Sequence, residues 1–231
     1  MFKNIYFYRA RLFPALLTSI PLIIFINRIL AIEYNDALKN VLDVLPLLTH
    51  LGLSAALVFL CAQVNRVIAK ELFQHIYFKD ELNMPSTNHL LWKSTYYDLT
   101  VKKKIRDKMN EKFGITLLGA EEELQDETRA RKLIVTCVAQ VRVALTGNSM
   151  LLQHNIEYGF WRNLIGGSVL ALLFSAAILV YGISNGFKDL ITIGISLFGI
   201  YLMPILMSKV IIRKYGNYFS KILYEQFLGC D

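Results

Sequence analysis

Residues 158–183 read YGFWRNLIGGSVLALLFSAAILVYGI, and this stretch decides the fold. Tyr158, Phe160, Trp161 and Arg162 make an aromatic, basic belt of the kind that settles at a membrane–water interface. No charged side chain follows Arg162 until Lys188. The run Asn163 to Ile183 supplies about 20 residues, which at about 1.5 Å each cross a hydrocarbon core of roughly 30 Å. Gly167, Ala171 and Ser175 recur on one face of that helix. Such a small-residue ridge lets another backbone approach closely in lipid, so these three are the candidate helix-packing contact.

Downstream, Ser184, Asn185 and Gly186 predict a tight turn before a second apolar run, Leu190 to Ile212. Gly194, Gly199 and Pro204 predict a bend in it, and Lys209, Arg213 and Lys214 close it on a basic side. Tyr215, Tyr218, Phe219, Ile222, Leu223 and Phe227 then share a face opposite Lys221 and Glu225. That pattern predicts an amphipathic helix lying in the membrane surface.

Two further apolar runs lie upstream, Leu12 to Ile32 and Leu45 to Val64. Lys3, Arg9 and Arg11 precede the first, Asn65, Arg66 and Lys70 follow the second, and the connection Glu33 to Asp43 is acidic. The expected fold is therefore an all-α membrane protein with four transmembrane helices in two hairpins. Residues 1–70 hold the first hairpin (12–32 and 45–64), 71–161 a mostly helical module, and 162–231 the second hairpin (163–183 and 190–212) with its amphipathic tail. Lysine and arginine at the inner ends are expected to place both termini and the module on the cytoplasmic side of the membrane.

The chain is 55% hydrophobic and 19% charged, with a mean hydropathy of +0.42, which excludes an ordinary soluble domain. Its net charge is +7, yet residues 71–161 carry about twelve basic and twelve acidic side chains. The excess sits beside the apolar runs, where it meets lipid headgroups, so no DNA or RNA partner is expected. Cys61, Cys137 and Cys230 stand apart, as do His50, His75, His89 and His154. No metal-ligand spacing, glycine-rich phosphate loop or nucleophile motif occurs, so neither a cofactor, a metal nor an enzymatic activity is expected.

Within the module, Pro85 to Asn88 predicts a turn leading to Leu90, Leu91 and Trp92. Asp98 or Thr100 starts a helix with Val101, Ile105, Met109 and Phe113 as its apolar stripe and Gly114 as its C-terminal cap. Glu121, Glu122 and Glu123 open another helix, whose stripe is Ile134, Val138, Val141 and Leu145. The charged faces between them offer the candidate site for an anionic ligand such as a nucleotide: Lys102, Lys103, Lys104, Arg106, Lys108, Arg129, Arg131 and Lys132. The competing reading is a solvated helix face. In the spans, Asn27, Arg28 and His50 are the candidate pore-lining residues, because positive charge gathered at a pore mouth favours anions.

The spans hold no Asp or Glu, which argues against proton- or metal-coupled transport and leaves a passive pore compatible. Two hairpins around a small module, joined through NIEYGFWRNLIGG at 155–167, resemble the small four-span pore-forming effectors of bacterial antiphage operons. The layout is also similar, in topology alone, to bestrophin-type anion channels. The first resemblance implies a homo-oligomeric effector in antiphage defence, with the lipid bilayer, copies of itself and a cytoplasmic partner protein or nucleotide signal as partners. A non-conducting adaptor that anchors a soluble partner is the alternative.

Overall fold

The computed structural model describes residues 2–30, 52–79 and 81–230. Every regular element among them is helical. His50, the acidic connection 33–43 and the first part of the expected second span lie outside the described residues. Three helices are long and apolar enough to cross a membrane, Ile5–Leu30, Ser149–Asn185 and Lys188–Leu206, and they mark a membrane protein. The chain divides into two compact units, Lys3–Phe73 with Gly159–Lys209, and Gln74–Tyr158 with Val210–Asp231.

In the first unit α1 (Phe2–Phe7) passes through a π turn, Tyr8–Leu12, into α2 (Phe13–Phe25) and a second π segment, Ile26–Leu30. The wide turn has a cause in Pro14, whose ring would clash with the carbonyl four residues back. Pro14 and Pro21 also have no N–H, so the carbonyls of Ala10 and Leu17 lose their intrahelical donors. Both are recovered from other helices. Asn163 Nδ2 donates to the Ala10 carbonyl at 2.6 Å, and the Tyr201 hydroxyl donates to that of Leu17 at 2.5 Å. The helical run thus continues through both prolines, from Ile5 to Leu30.

The described part of the expected second span is α3 (Gly52–Ile68). It packs Val58, Cys61 and Ala62 against Ala15 of α2. Near its end Asn65 Nδ2 donates to the Thr18 hydroxyl at 2.8 Å, and the Thr18 hydroxyl in turn donates to the Pro14 carbonyl at 2.9 Å. The long helix α9 (Ser149–Asn185) meets this pair through glycine. A Cβ on Gly166 would lie 2.4 Å from the Asn65 carbonyl oxygen, and one on Gly167 would lie 2.3 Å from the Asn65 amide. Ala171 and Ser175 continue the buried face, with the Ser175 hydroxyl folded back onto the Ala171 carbonyl. In α10 (Lys188–Leu206) Gly194 admits the backbone of Leu179 in the same way.

In the second unit the short α4 (His75–Phe78) and α5 (Pro85–Asn88) lead to α6 (Leu99–Phe113), α7 (Ala120–Gln125) and α8 (Glu127–Ala144). Pro85 to Asn88, expected as a turn, is itself a helical turn with proline at its start. Ile134, Val138, Val141 and Leu145 are all buried, as their spacing predicts, while Asp126 divides the acidic stretch and caps α8 through the Arg129 N–H.

The tail differs from its expectation. Phe219, Leu223, Tyr224 and Phe227 of α11 (Ser208–Gly229) are buried in one core with Leu90, Ile105, Met109 and Ile134, and Phe227 stacks on Phe113. An apolar helix face is satisfied equally by lipid or by a protein core, so the pattern alone does not distinguish them. Replacing Asn163 by leucine strands the Ala10 carbonyl in an apolar setting. We expect a loss of about 1–3 kcal/mol, read from denaturant unfolding in detergent, and a change below about 0.5 kcal/mol would mean that another donor serves it.

Candidate functional site

The basic face of the second unit is built on α6. The Asp98 carboxylate accepts from the Thr100 N–H at 2.8 Å to start this helix, and Gly114 ends it at φ +66°. Ile105 and Met109 of the expected stripe are buried and Phe113 packs against the same core, but the stripe does not begin at Val101. Val101 is 37% exposed, whereas Lys102 is 0% and Arg106 is 5% exposed. Both cations bury their stems against the core and spend their donors on the chain itself.

Lys102 Nζ donates to the carbonyls of Trp92 and Ser94 at 3.0 and 2.7 Å. Arg106 donates to the Leu90 carbonyl at 2.7 Å and to the Leu118 carbonyl, and its guanidinium lies 4.5 Å from the Trp92 ring centroid. Glu123, also buried, stands 3.7 Å from Arg106 and accepts from the Trp92 N–H at 2.6 Å. Burial pulls the Lys102 ammonium below the usual lysine range, with the Glu123 charge opposing and Arg106 adding to the shift. These two cations hold the 90–94 and 118 loops together and are not available to a ligand.

Arg131 is likewise engaged, with Glu127 at 2.8 Å, the Leu82 carbonyl at 2.8 Å and the Asn88 side-chain oxygen at 2.7 Å. Lys108 Nζ donates to the carbonyls of Leu228 and Cys230, as a cation at a helix C-terminus does. Arg129 and Lys132 are exposed on α8, away from the α6 lysines in sequence and in element. The structure therefore does not bring the eight candidate residues into one site. What remains on α6 is an open hollow of about 850 Å³ lined by Lys103, Lys104, Lys108 and Lys112, with Asp107 and Glu111 between them and Leu228 beside them.

Among the pore candidates, Asn27 and Arg28 are exposed in the π segment Ile26–Leu30. Arg28 borders a separate hollow of about 780 Å³ with Gly186, Lys188, Asp189 and Thr192. Among the described residues no group of three His, Cys, Asp or Glu side chains gathers in a way that would hold a metal ion.

Sequence reading missed Asn65, Asn163 and Tyr201. A proline four residues after a carbonyl was the available signal for two of them. It also missed His89, which is buried beside Ser220, with its Nδ1 2.8 Å from the Ser220 hydroxyl, and stacked on Tyr96 at 3.6 Å. Burial pushes the His89 pKa down to about 4, while a hydrogen bond with Asn217 opposes that shift.

Two predictions follow from these environments. Arg106→Ala leaves Glu123 buried without its cation and is expected to cost about 3–5 kcal/mol, whereas Lys103→Ala stays within about 0.5 kcal/mol. Chemical unfolding of the two variants side by side checks this. For His89, the unfolded imidazole binds a proton near pH 6.5 and the folded one only near pH 4. Its contribution to stability is therefore complete above pH 6.5 and declines as pH falls toward 4, by about 3 kcal/mol at most. His89→Gln should flatten that part of the stability–pH curve, and an unchanged slope would assign it to other groups.

The chain matches no protein-family model, no curated protein and no solved structure.

Proposed function

We propose that this protein is an oligomeric pore-forming or membrane-disrupting effector of the bacterial inner membrane, gated by its cytoplasmic helical module and acting in antiphage defence. It crosses the bilayer four times, as two hairpins, with both termini inside. The observation that carries this reading is the open face of α10. Thr192, Ser196 and Gly199 are exposed along a helix otherwise apolar enough to span lipid, and nothing lies within 4 Å of a Cβ built at Gly199.

The two hydroxyls donate to the carbonyls of Lys188 and Thr192 at 3.0 and 2.8 Å. Their hydrogen bonds are met within the helix, so the stripe tolerates lipid, a neighbouring helix or water. A small, weakly polar face of this kind suits both helix association and the wall of a passive pore. Coupling to the module is supported by the chain itself. The boundary at 158–159 falls inside α9, and that at 209–210 falls inside α11, so no linker separates the units in sequence.

A non-conducting anchor for a soluble partner is the second reading, favoured by the lysine-lined hollow on α6. Purified protein reconstituted into vesicles of anionic and zwitterionic lipid decides between them. Dye or ion leakage that rises with protein oligomerisation is expected. A monomeric protein that leaves vesicles tight, and that co-purifies with a stoichiometric soluble partner, would favour the anchor.

A further inference from the structure

The lysine hollow and the acidic helix α7 lie on different sides of α6. At about 100° per residue, Lys104 stands about 200° around the helix from both Lys102 and Arg106. The hollow thus opens on the face turned away from Trp92 and Glu123. Helix α7 is fixed on the opposite side, where Glu123 turns inward to the Trp92 N–H. Its other side chains turn out: Glu121 is exposed, and Leu124 is 81% exposed.

Within one copy neither Glu121 nor Glu122 forms an ion pair with Lys103 or Lys104, among the described residues. Glu122 instead accepts from the Gly119 N–H at 2.8 Å. The copy presents a hollow in which four lysines outnumber two acids, with Leu228 beside it, and an acidic helix that carries an exposed leucine.

We infer that the hollow on α6 receives helix α7 of a second copy of this chain, with Glu121 against Lys103 and Lys104 and Leu124 against Leu228. Charge complementarity sets the orientation, and the leucine supplies the desolvated centre that an interface requires. Because the two surfaces lie on opposite sides of α6, one contact cannot use both pairs reciprocally, and it runs head to tail. Such a contact closes into a ring when its rotation permits and otherwise extends as a filament. A ring of modules would gather the spans around one axis; the inference thus deepens the oligomeric reading above and rests on it.

The test uses the full chain in detergent micelles, with its mass followed by light scattering over a concentration series. Lys104→Glu and Glu121→Lys should each weaken self-association about tenfold, and the double variant should return it to near the wild-type value. Leu124→Ser should weaken it without any change of charge, and high salt should weaken the wild type. Unchanged mass in the single variants, or a double variant that fails to recover, would overturn the contact. So would saturable binding of inorganic pyrophosphate that Lys104→Glu abolishes while the mass stays constant. Vesicle leakage measured on the same samples separates this inference from the proposed function. Assembly that obeys the charge swap in tight vesicles upholds the contact and removes the pore. Leakage that persists while the swap leaves the mass unchanged removes the contact and keeps the pore.

Discussion

The first unit depends on a simple constraint: a backbone carbonyl in lipid must find a donor. Pro14 and Pro21 withhold two donors from the first spanning helix, and the unit is assembled around the replacements. Asn163 on α9 serves Ala10, and Tyr201 on α10 serves Leu17. Each bond ties a different helix to the same one. Hydrophobic burial gives helices little preference for one another inside a bilayer, so these hydrogen bonds and the glycine contacts at Gly166 and Gly167 specify the packing. The Thr18–Asn65 bond adds a third tie, between α2 and α3.

The second unit solves the opposite problem, holding irregular loops beside a core. Residues 90–94 and 118 present carbonyls that no helix or sheet satisfies, and Lys102 and Arg106 reach them from α6. Trp92 lies against the guanidinium and Glu123 compensates its charge. The pairing of a buried cation with several backbone acceptors is what makes burial tolerable for groups that otherwise remain in water.

Several elements were legible in the sequence because a single local rule governs each. Asp98 and Gly114 mark the ends of α6, the Ile134 stripe marks the inward face of α8, and the apolar runs from residues 12, 163 and 190 mark spanning helices. Val101 misled because apolar spacing assigns cations outward, whereas lysine and arginine stems cover apolar surface well. The α11 face misled because its aromatic residues suit a membrane surface as well as a protein core. Asn163 and Tyr201 were hidden because the need that they meet arises some 150 and 184 residues away in sequence. Of the basic residues proposed for one anion site, the periodicity could not show that Lys102, Arg106 and Arg131 would turn to the chain's own carbonyls.

The place of α11 in the second core has a bearing on biosynthesis. Phe219, Leu223, Tyr224 and Phe227 fill the space between α6 and α8, yet the ribosome delivers them after residues 159–209, which belong to the other unit. A nascent chain that has reached α8 therefore holds Ile105, Met109 and Ile134 without their final covering, and closure waits for α11. Completion of the second unit is thereby ordered after translation of the apolar helices, and a product terminated before α11 carries those helices with an unfinished second core.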